Sequence, residues 1–342
     1  MRSFRRILKT VGIFLLIVSV VSAFFISCYL KGENFFYQDG RERDAMSGQL
    51  TYLVSGASYC LFGVRSDTIN KSLGVNCYNL SGTLMTLRGR YTLLKYELER
   101  NPKVHTIMLE VSPDTLLRNR AEEGAKGDLS MLGRLTDASM RWDYFREAFT
   151  PDEWPEVYYD MVSKGMESAL RLVNGSYMTE NQILRAGYYE NHNPDKEIPT
   201  NYAEIYHVHS LPEELNPENE LWLEKVVELC QEKGRKVYLF TTPQSKYYNC
   251  VYSNLDFYQQ WYTRFAETHG IRYFNFNLAK EKLTRLPDQG CFYDETHLNA
   301  AGGEIFSKML ADIIYHCREN RDNSFYFFDS YEQLTWASNY FD

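Results

Sequence analysis

The chain has no Cys-x-x-Cys pair, so the ligand spacing of a zinc knuckle is missing. It also lacks a basic stripe. Lys and Arg number 37 against 45 Asp and Glu, leaving a net charge of -8, which argues against a nucleic-acid partner. Internal repeats and low-complexity segments are absent. The seven cysteines (Cys28, Cys60, Cys77, Cys230, Cys250, Cys291 and Cys317) are scattered, several in expected helices or strands. They read as buried free thiols rather than a disulfide framework. What remains is ordinary globular material, 44% hydrophobic and 24% charged over 342 residues, enough for one large domain or two small ones. Tyrosine is plentiful at 27, with aromatics at 15%. Such a supply serves sugar- or polymer-binding surfaces and core packing alike.

The N-terminus is the one long apolar run. Four positive charges in Met1–Lys9 precede Val11–Leu30, twenty residues without a charge. That length crosses a bilayer as one helix. The basic flank predicts residues 1–31 as a cytoplasmic N-terminus and membrane anchor, with everything after Lys31 outside the cytoplasm. A cleaved signal peptide is the rival, since Val21-Ser22-Ala23 resembles a cleavage site, but the apolar run continues seven residues past it. Lipidation at Cys28 is a third reading, on a poor match in Phe25-Ile26-Ser27.

Residues 32–48 are polar and read as a linker. Strands are expected at Gln49–Gly56, Gly74–Leu80, His105–Val111, Lys236–Thr241 and Ile271–Phe276. Helices are expected at about Tyr59–Lys71, Thr83–Arg100, Pro212–Lys233, Leu255–His269 and Asn299–Cys317. The alternation predicts an α/β domain over 49–318, a flavodoxin-like three-layer fold on a parallel sheet with right-handed crossovers. Between Leu116 and His209 no clear strand appears, and amphipathic pieces such as Tyr158–Val173 dominate. Residues 116–209 read as a helical insertion, either a lid or platform over the active face or a cap with no part in binding. Residues 319–342 form an aromatic tail, with Phe325-Tyr326-Phe327-Phe328 and Trp336–Phe341, that packs on the domain or on the membrane surface.

Ligands of open parallel sheets bind beyond the carboxyl ends of the strands. Ser58, in Gly56-Ala57-Ser58, falls just past the first strand at the start of a helix, where its backbone N–H can face a developing oxyanion. Serine is also a favoured helix cap, which alone explains such a junction. Asp294-Glu295-Thr296-His297 follows the last strand. An Asp three residues before a His can accept from one ring nitrogen and leave the other to take a proton from a nucleophile. About one acid-x-x-His match is expected by chance in this composition, and Glu204-Ile205-Tyr206-His207 is a second. Position distinguishes 294–297, which shares a sheet edge with Ser58. Glu110 ends the third strand as a buried partner or ligand contact. Tyr247 and Tyr248 follow the fourth strand, to line a pocket or to pack. His207-Val208-His209 lacks the acid or cysteine cluster that a metal site needs, so no metal or cofactor is expected.

The turn containing Ser58, together with Asp294-x-x-His297-Leu298-Asn299-x-x-Gly302 before the last helix, resembles the bracketing pattern of the SGNH (GDSL-type) hydrolase superfamily. The resemblance covers about residues 50–112 and 235–317. It implies Ser58 as nucleophile, His297 as general base and Asp294 as its orienter, with an oxyanion hole from the backbone N–H groups of Ser58 and Gly82. Two departures stand out: the first block is Gly-Ala-Ser rather than Gly-Asp-Ser, and the Gly-x-Asn-Asp block is absent after the third strand, where Ser112 is a substitute donor. An anchored, outward-facing chain of this kind resembles the D-alanyl-lipoteichoic acid transfer and alginate O-acetylation branches. That implies a serine acyltransferase or esterase acting on a cell-envelope polymer or glycan, with a multi-pass membrane acyltransferase as a possible partner. The alternative is a catalytically degenerate relative that binds the polymer or that partner.

Overall fold

In the computed structural model, which describes residues 2–31, 35–118, 126–174, 182–185, 187–192, 195–202 and 207–337, the apolar segments pair as the alternation predicts. Tyr52–Ser55 (β1), Cys77–Asn79 (β2), Thr106–Glu110 (β3), Lys236–Thr241 (β7) and Arg272–Asn275 (β9) form one parallel sheet in the order β2-β1-β3-β7-β9. The chain divides into two units, residues 42–128 with 180–342 and residues 1–41 with 129–179.

In the first of these, side chains leave the strands alternately to the two faces. Tyr52, Val54, Met108, Tyr238, Phe240 and Phe274 share one core with Phe306, Leu310 and Ile314 of the helix Ala300–Arg318. The intervening Leu53, Ile107, Leu109 and Leu239 are equally buried. Each such side chain contributes about 1.5–3 kcal/mol on leaving water. On this core sit Ser58–Gly63 (α3) and Ser66–Leu73 (α4), both packed on Ala300–Arg318. Leu87–Arg100 (α5) packs on Pro217–Glu232. The single helix expected over Tyr59–Lys71 is thus two, broken at Val64-Arg65, where both residues are extended. The aromatic tail packs on the domain: Phe327 lies 5.9 Å from Phe274 and 5.5 Å from Phe276 between ring centres, and Leu334 is buried. Residues 338–342 lie outside the described residues.

Two expectations are corrected. The polar stretch read as a linker holds a helix, Phe35–Ala45 (α2), because its charges are buried in pairs: Asp39 with Arg134, and Arg43 with Glu97 at 3.4 Å. The insertion is not purely helical. Gln182–Arg185 (β4) and Tyr188–Asn191 (β5) pair antiparallel, and His209–Ser210 (β6) pairs in parallel with Tyr252–Ser253 (β8). Four-residue strands without alternation leave little period-2 signal, and Gly187, at φ +85°, supplies the turn backbone between β4 and β5. A side chain on Gly187 would come within 1.8 Å of the Asn79 carbonyl, so this close approach also demands glycine.

The other unit contains Arg2–Lys31 (α1), long and apolar enough to cross a membrane. With it go Leu129–Met131, the end of the helix Lys126–Met131, and the helices Ala138–Ala148 and Trp154–Asn174.

One buried charge makes the α/β unit's stability depend on pH. Lys282 is 4% exposed, and its Nζ donates to Asn277 Oδ1 at 3.2 Å. Burial lowers its pKa to about 8, against the pull of Asp288. A lysine depressed in the folded state destabilises while it is charged, and that penalty fades as pH rises through about 8 towards 10.5. Lys282→Met is therefore expected to gain more at pH 7 than at pH 10, by about 2 kcal/mol. Denaturant melts of both proteins at the two pH values measure this, and an equal gain at both contradicts it.

Candidate active site

Ser58 owes its position to the turn after β1. The turn is tight enough that a Cβ on Gly56 would come within 2.5 Å of Cys60 Cβ and 2.8 Å of Glu110 Oε2. The Ala57 N–H donates to Glu110 Oε2 at 2.9 Å. Glu110 is wholly buried, and Arg90, also buried, reaches its carboxylate at 3.5 Å and its backbone carbonyl at 2.6 Å. Burial pushes the Glu110 carboxyl up, and Arg90 and the Ala57 N–H pull it back. Ser58 is the first residue of α3. The carbonyl four residues earlier, on Val54, accepts the Leu80 N–H instead at 2.8 Å, so the Ser58 N–H is one of the donors a helix leaves without an internal partner.

The imidazole arrives on a narrow loop. Phe292 and Leu298 bridge antiparallel, and the Tyr293 N–H donates to the His297 carbonyl at 2.8 Å. Asn299 caps the helix Ala300–Arg318 by accepting the Gly302 N–H at 3.0 Å. A Cβ on Gly302 would fall 2.0 Å from the Cys291 carbonyl, so only glycine lets this helix abut the loop. Each residue of the Asp-x-x-His-Leu-Asn-x-x-Gly run that matters here has a geometric task. Inside the loop, Asp294 Oδ1 accepts the N–H groups of Thr296 and His297 at 3.0 and 2.8 Å.

Ser58, His297 and Asp294 meet. Ser58 Oγ lies 2.9 Å from His297 Nε2, and His297 Nδ1 lies 2.9 and 3.1 Å from the two carboxylate oxygens of Asp294. An ionised carboxylate only accepts, so Nδ1 carries the proton and Nε2 accepts from the Ser58 hydroxyl. Burial works to raise the Asp294 pKa. The hydrogen bonds from His297 and from the two backbone N–H groups outweigh it and hold the carboxyl well below its ordinary range.

The remaining sequence candidates are placed differently. The Gly82 N–H donates to the Gly56 carbonyl at 3.3 Å, so the protein's own turn engages it. Ser112 caps the short helix Pro113–Leu117: its N–H donates to Thr115 Oγ1 at 3.0 Å, and its carbonyl accepts from Tyr262. Tyr247 is half-buried against the core and its N–H donates to Asp288. Tyr248 is buried with its ring 4.6 Å from that of Tyr252. His209 belongs to β6, and the His207 N–H is spent on the Cys250 carbonyl. Glu204 lies outside the described residues. Among the described residues, no group of three His, Cys, Asp or Glu side chains is arranged to hold a metal.

Four residues around the site escaped the sequence reading. Tyr59 and Phe62 of α3 hold the His297 ring between them, at 5.3 and 5.1 Å between centres, and Tyr189 of β5 stacks edge-on to Phe62 at 5.0 Å. The Tyr59 hydroxyl bonds to Asp114. Burial first, then Asp114, keeps it protonated far above its ordinary range. Lys196 Nζ lies 4.0 Å from Asp294 and over the Tyr293 ring. Residues 59 and 62 lie three apart on the short helix that begins at Ser58, the one signal that could have found them. Tyr189 and Lys196 come from the insertion, whose placement no local pattern encodes.

No protein-family model and no curated protein matches the chain. The chemistry therefore rests on geometry: a hydroxyl, a neutral imidazole and an anion in series can move a proton off Ser58 as its oxygen attacks an electrophile.

Proposed function

We propose that this protein is a membrane-anchored serine acyltransferase or esterase of the SGNH type, acting outside the cytoplasm on a cell-envelope polymer or glycan. The observation that carries the reading is the unbroken series Ser58 Oγ–His297–Asp294, each link at 2.9 Å. Ser58 Oγ attacks an acyl carbonyl and its proton passes to His297 Nε2. The Ser58 N–H faces the resulting oxyanion. Collapse expels the donor alcohol, which leaves with the proton from His297. A water or an acceptor hydroxyl then attacks the acyl-serine and gives its proton to His297, and collapse releases Ser58, whose Oγ takes that proton back from Nε2. Which of the two attacks depends on what the site excludes. The apolar α1 and the basic residues ahead of Val11 support the anchored, outward topology.

A second reading has its own observation. With Gly82 turned to Gly56 and Ser112 capping a helix, the Ser58 N–H is the one donor of the expected oxyanion hole left for a substrate. That favours a binding protein for the polymer, or for a membrane acyltransferase, that has lost turnover. The full chain treated with a fluorophosphonate separates the two. The enzyme reading expects one stable adduct on Ser58, absent from Ser58→Ala, and loss of the cellular phenotype in that variant. An unmodified Ser58, with a normal phenotype for Ser58→Ala, removes it.

A further inference from the structure

The amino ends of the strands, opposite the edge that carries Ser58, border an open cavity of about 660 Å³. Its walls follow from the register. Tyr52 of β1 pairs with Thr106 of β3, and Thr106 with Lys236 of β7. All three therefore project to one face, and Tyr238, two residues on from Lys236, joins them. That face is the one covered by the helix Ala300–Arg318, whose last residue, Arg318, lines the cavity. His105, just before β3, sets its ring edge-on to that of Tyr52 at 5.0 Å between centres. The length of β3 keeps this end about 15 Å from the catalytic edge.

Packing leaves two features of the cavity unexplained. The first is a pair of phenols. Tyr52 and Tyr238 line it and are 2% and 8% exposed. A buried tyrosine hydroxyl ordinarily finds a hydrogen-bond partner, yet among the described residues neither hydroxyl has one. The second is charge of one sign on a chain of net charge -8. Among the described residues, neither Lys236 nor Arg318 forms an ion pair. Arg318 Nη1 donates to the Leu73 carbonyl at 3.2 Å, which fixes the guanidinium and leaves its other N–H groups. His105 Nδ1 lies 2.9 Å from the hydroxyl of the buried Thr106. With that hydroxyl donating, Nε2 carries the ring proton and is a donor as well. Burial, then Arg318, Lys236 and Arg235, hold the His105 imidazole below its ordinary range, and no carboxylate counters them.

We propose that this cavity binds a phosphorylated sugar, with the phosphoryl group on Lys236, Arg318 and His105 and the sugar hydroxyls on Tyr52 and Tyr238. The three nitrogen donors come from a strand start, a helix end and the residue before another strand. Donors converging from separate elements suit a tetrahedral anion with several accepting oxygens better than a planar carboxylate. A phenol both donates and accepts, which matches a sugar hydroxyl. Tyr238 has Tyr52 and Arg318 among its electrostatic neighbours, so the phenols and the cations adjoin. Size favours more than a lone phosphate: the cavity falls in the range of small-molecule sites, about 300–1,000 Å³. The site does not depend on turnover at Ser58, which lies at the other end of the sheet.

Calorimetric titration of the full chain in detergent tests this, with glucose 1-phosphate and N-acetylglucosamine 1-phosphate beside inorganic phosphate, glycerol 3-phosphate and glucose. At least one sugar phosphate is expected to bind about tenfold tighter than inorganic phosphate, and glucose is expected to give no signal. Lys236→Gln and Arg318→Gln are each expected to weaken the sugar phosphate about tenfold, as loss of a charged donor does. Tyr238→Phe keeps the ring and removes the hydroxyl. It is expected to weaken the sugar phosphate about fivefold and to leave inorganic phosphate unchanged. Lys236 is exposed, so its variant is expected to melt with the wild type and to report binding alone. The inference is overturned if neither sugar phosphate binds, or if binding survives both charge removals intact. Inorganic phosphate binding as tightly as the sugar phosphates removes the sugar, and glycerol 3-phosphate binding tighter than both assigns the site to a lipid headgroup. Either result overturns the inference as well.

Discussion

Asp294→Asn is expected to leave the fold intact and to slow acylation of Ser58 by about 10³–10⁴-fold. The carboxylate receives Nδ1–H of His297 at 2.9 Å and so forces the tautomer in which Nε2 is bare. An amide in its place can present its NH₂ to Nδ1. The ring then carries its proton on Nε2 and can no longer accept from Ser58. The loop itself should survive, because an amide oxygen can still accept the Thr296 and His297 N–H groups that Asp294 Oδ1 holds now. The pH dependence follows with a definite sign. Asp294 is held below the ordinary carboxylate range, so whatever stability its charge contributes is present above the unfolded pKa, near 3.9, and is lost only as pH falls through the lower folded value. Protonation of Asp294 therefore cannot limit labelling between pH 4 and 7. Fluorophosphonate labelling rates and thermal melts of both proteins check the prediction. An Asn variant that labels within tenfold of the wild type would mean that Asp294 does not set the tautomer.

Where the sequence was legible, one local rule governed the outcome. The sheet followed from short apolar runs between helices. Ser58 followed from the strand–turn–helix junction, and Asp294 with His297 from a three-residue spacing that a tight loop can close by itself. Where it misled, the partner came from far along the chain. Phe35–Ala45 looks like a polar linker until Arg43 meets Glu97 and Asp39 meets Arg134. The hairpin of β4 and β5 is too short to show a period, and what fixes it is Gly187 against Asn79, more than a hundred residues earlier. Gly82 sits at the expected place, but an N–H has one direction, and here it points to the Gly56 carbonyl. A spacing pattern locates a residue and leaves open where its donor aims.

Glu110 is the residue whose loss should cost most. It was legible only as an acid at a strand end, whereas the structure makes it the acceptor for Ala57 and the partner of a buried arginine. Glu110→Ala strands the Arg90 charge, and is expected to destabilise the domain by about 3–5 kcal/mol. That loss alone would not show that Glu110 positions the nucleophile, so two double variants divide packing from positioning. In Arg90→Met with Glu110→Leu no charge is left unpaired, and stability is expected to recover largely, since apolar replacement of a buried pair is often neutral. The Ala57 N–H has then lost its acceptor, and Ser58, one residue on, is no longer held at 2.9 Å from His297; labelling stays slow. In Arg90→Met with Glu110→Gln the amide oxygen can still receive the Ala57 N–H, and both stability and labelling are expected to return. Rapid Ser58 labelling in the Leu/Met protein would show that the turn holds its shape without the acceptor, and would reduce Glu110 to the counter-charge of Arg90.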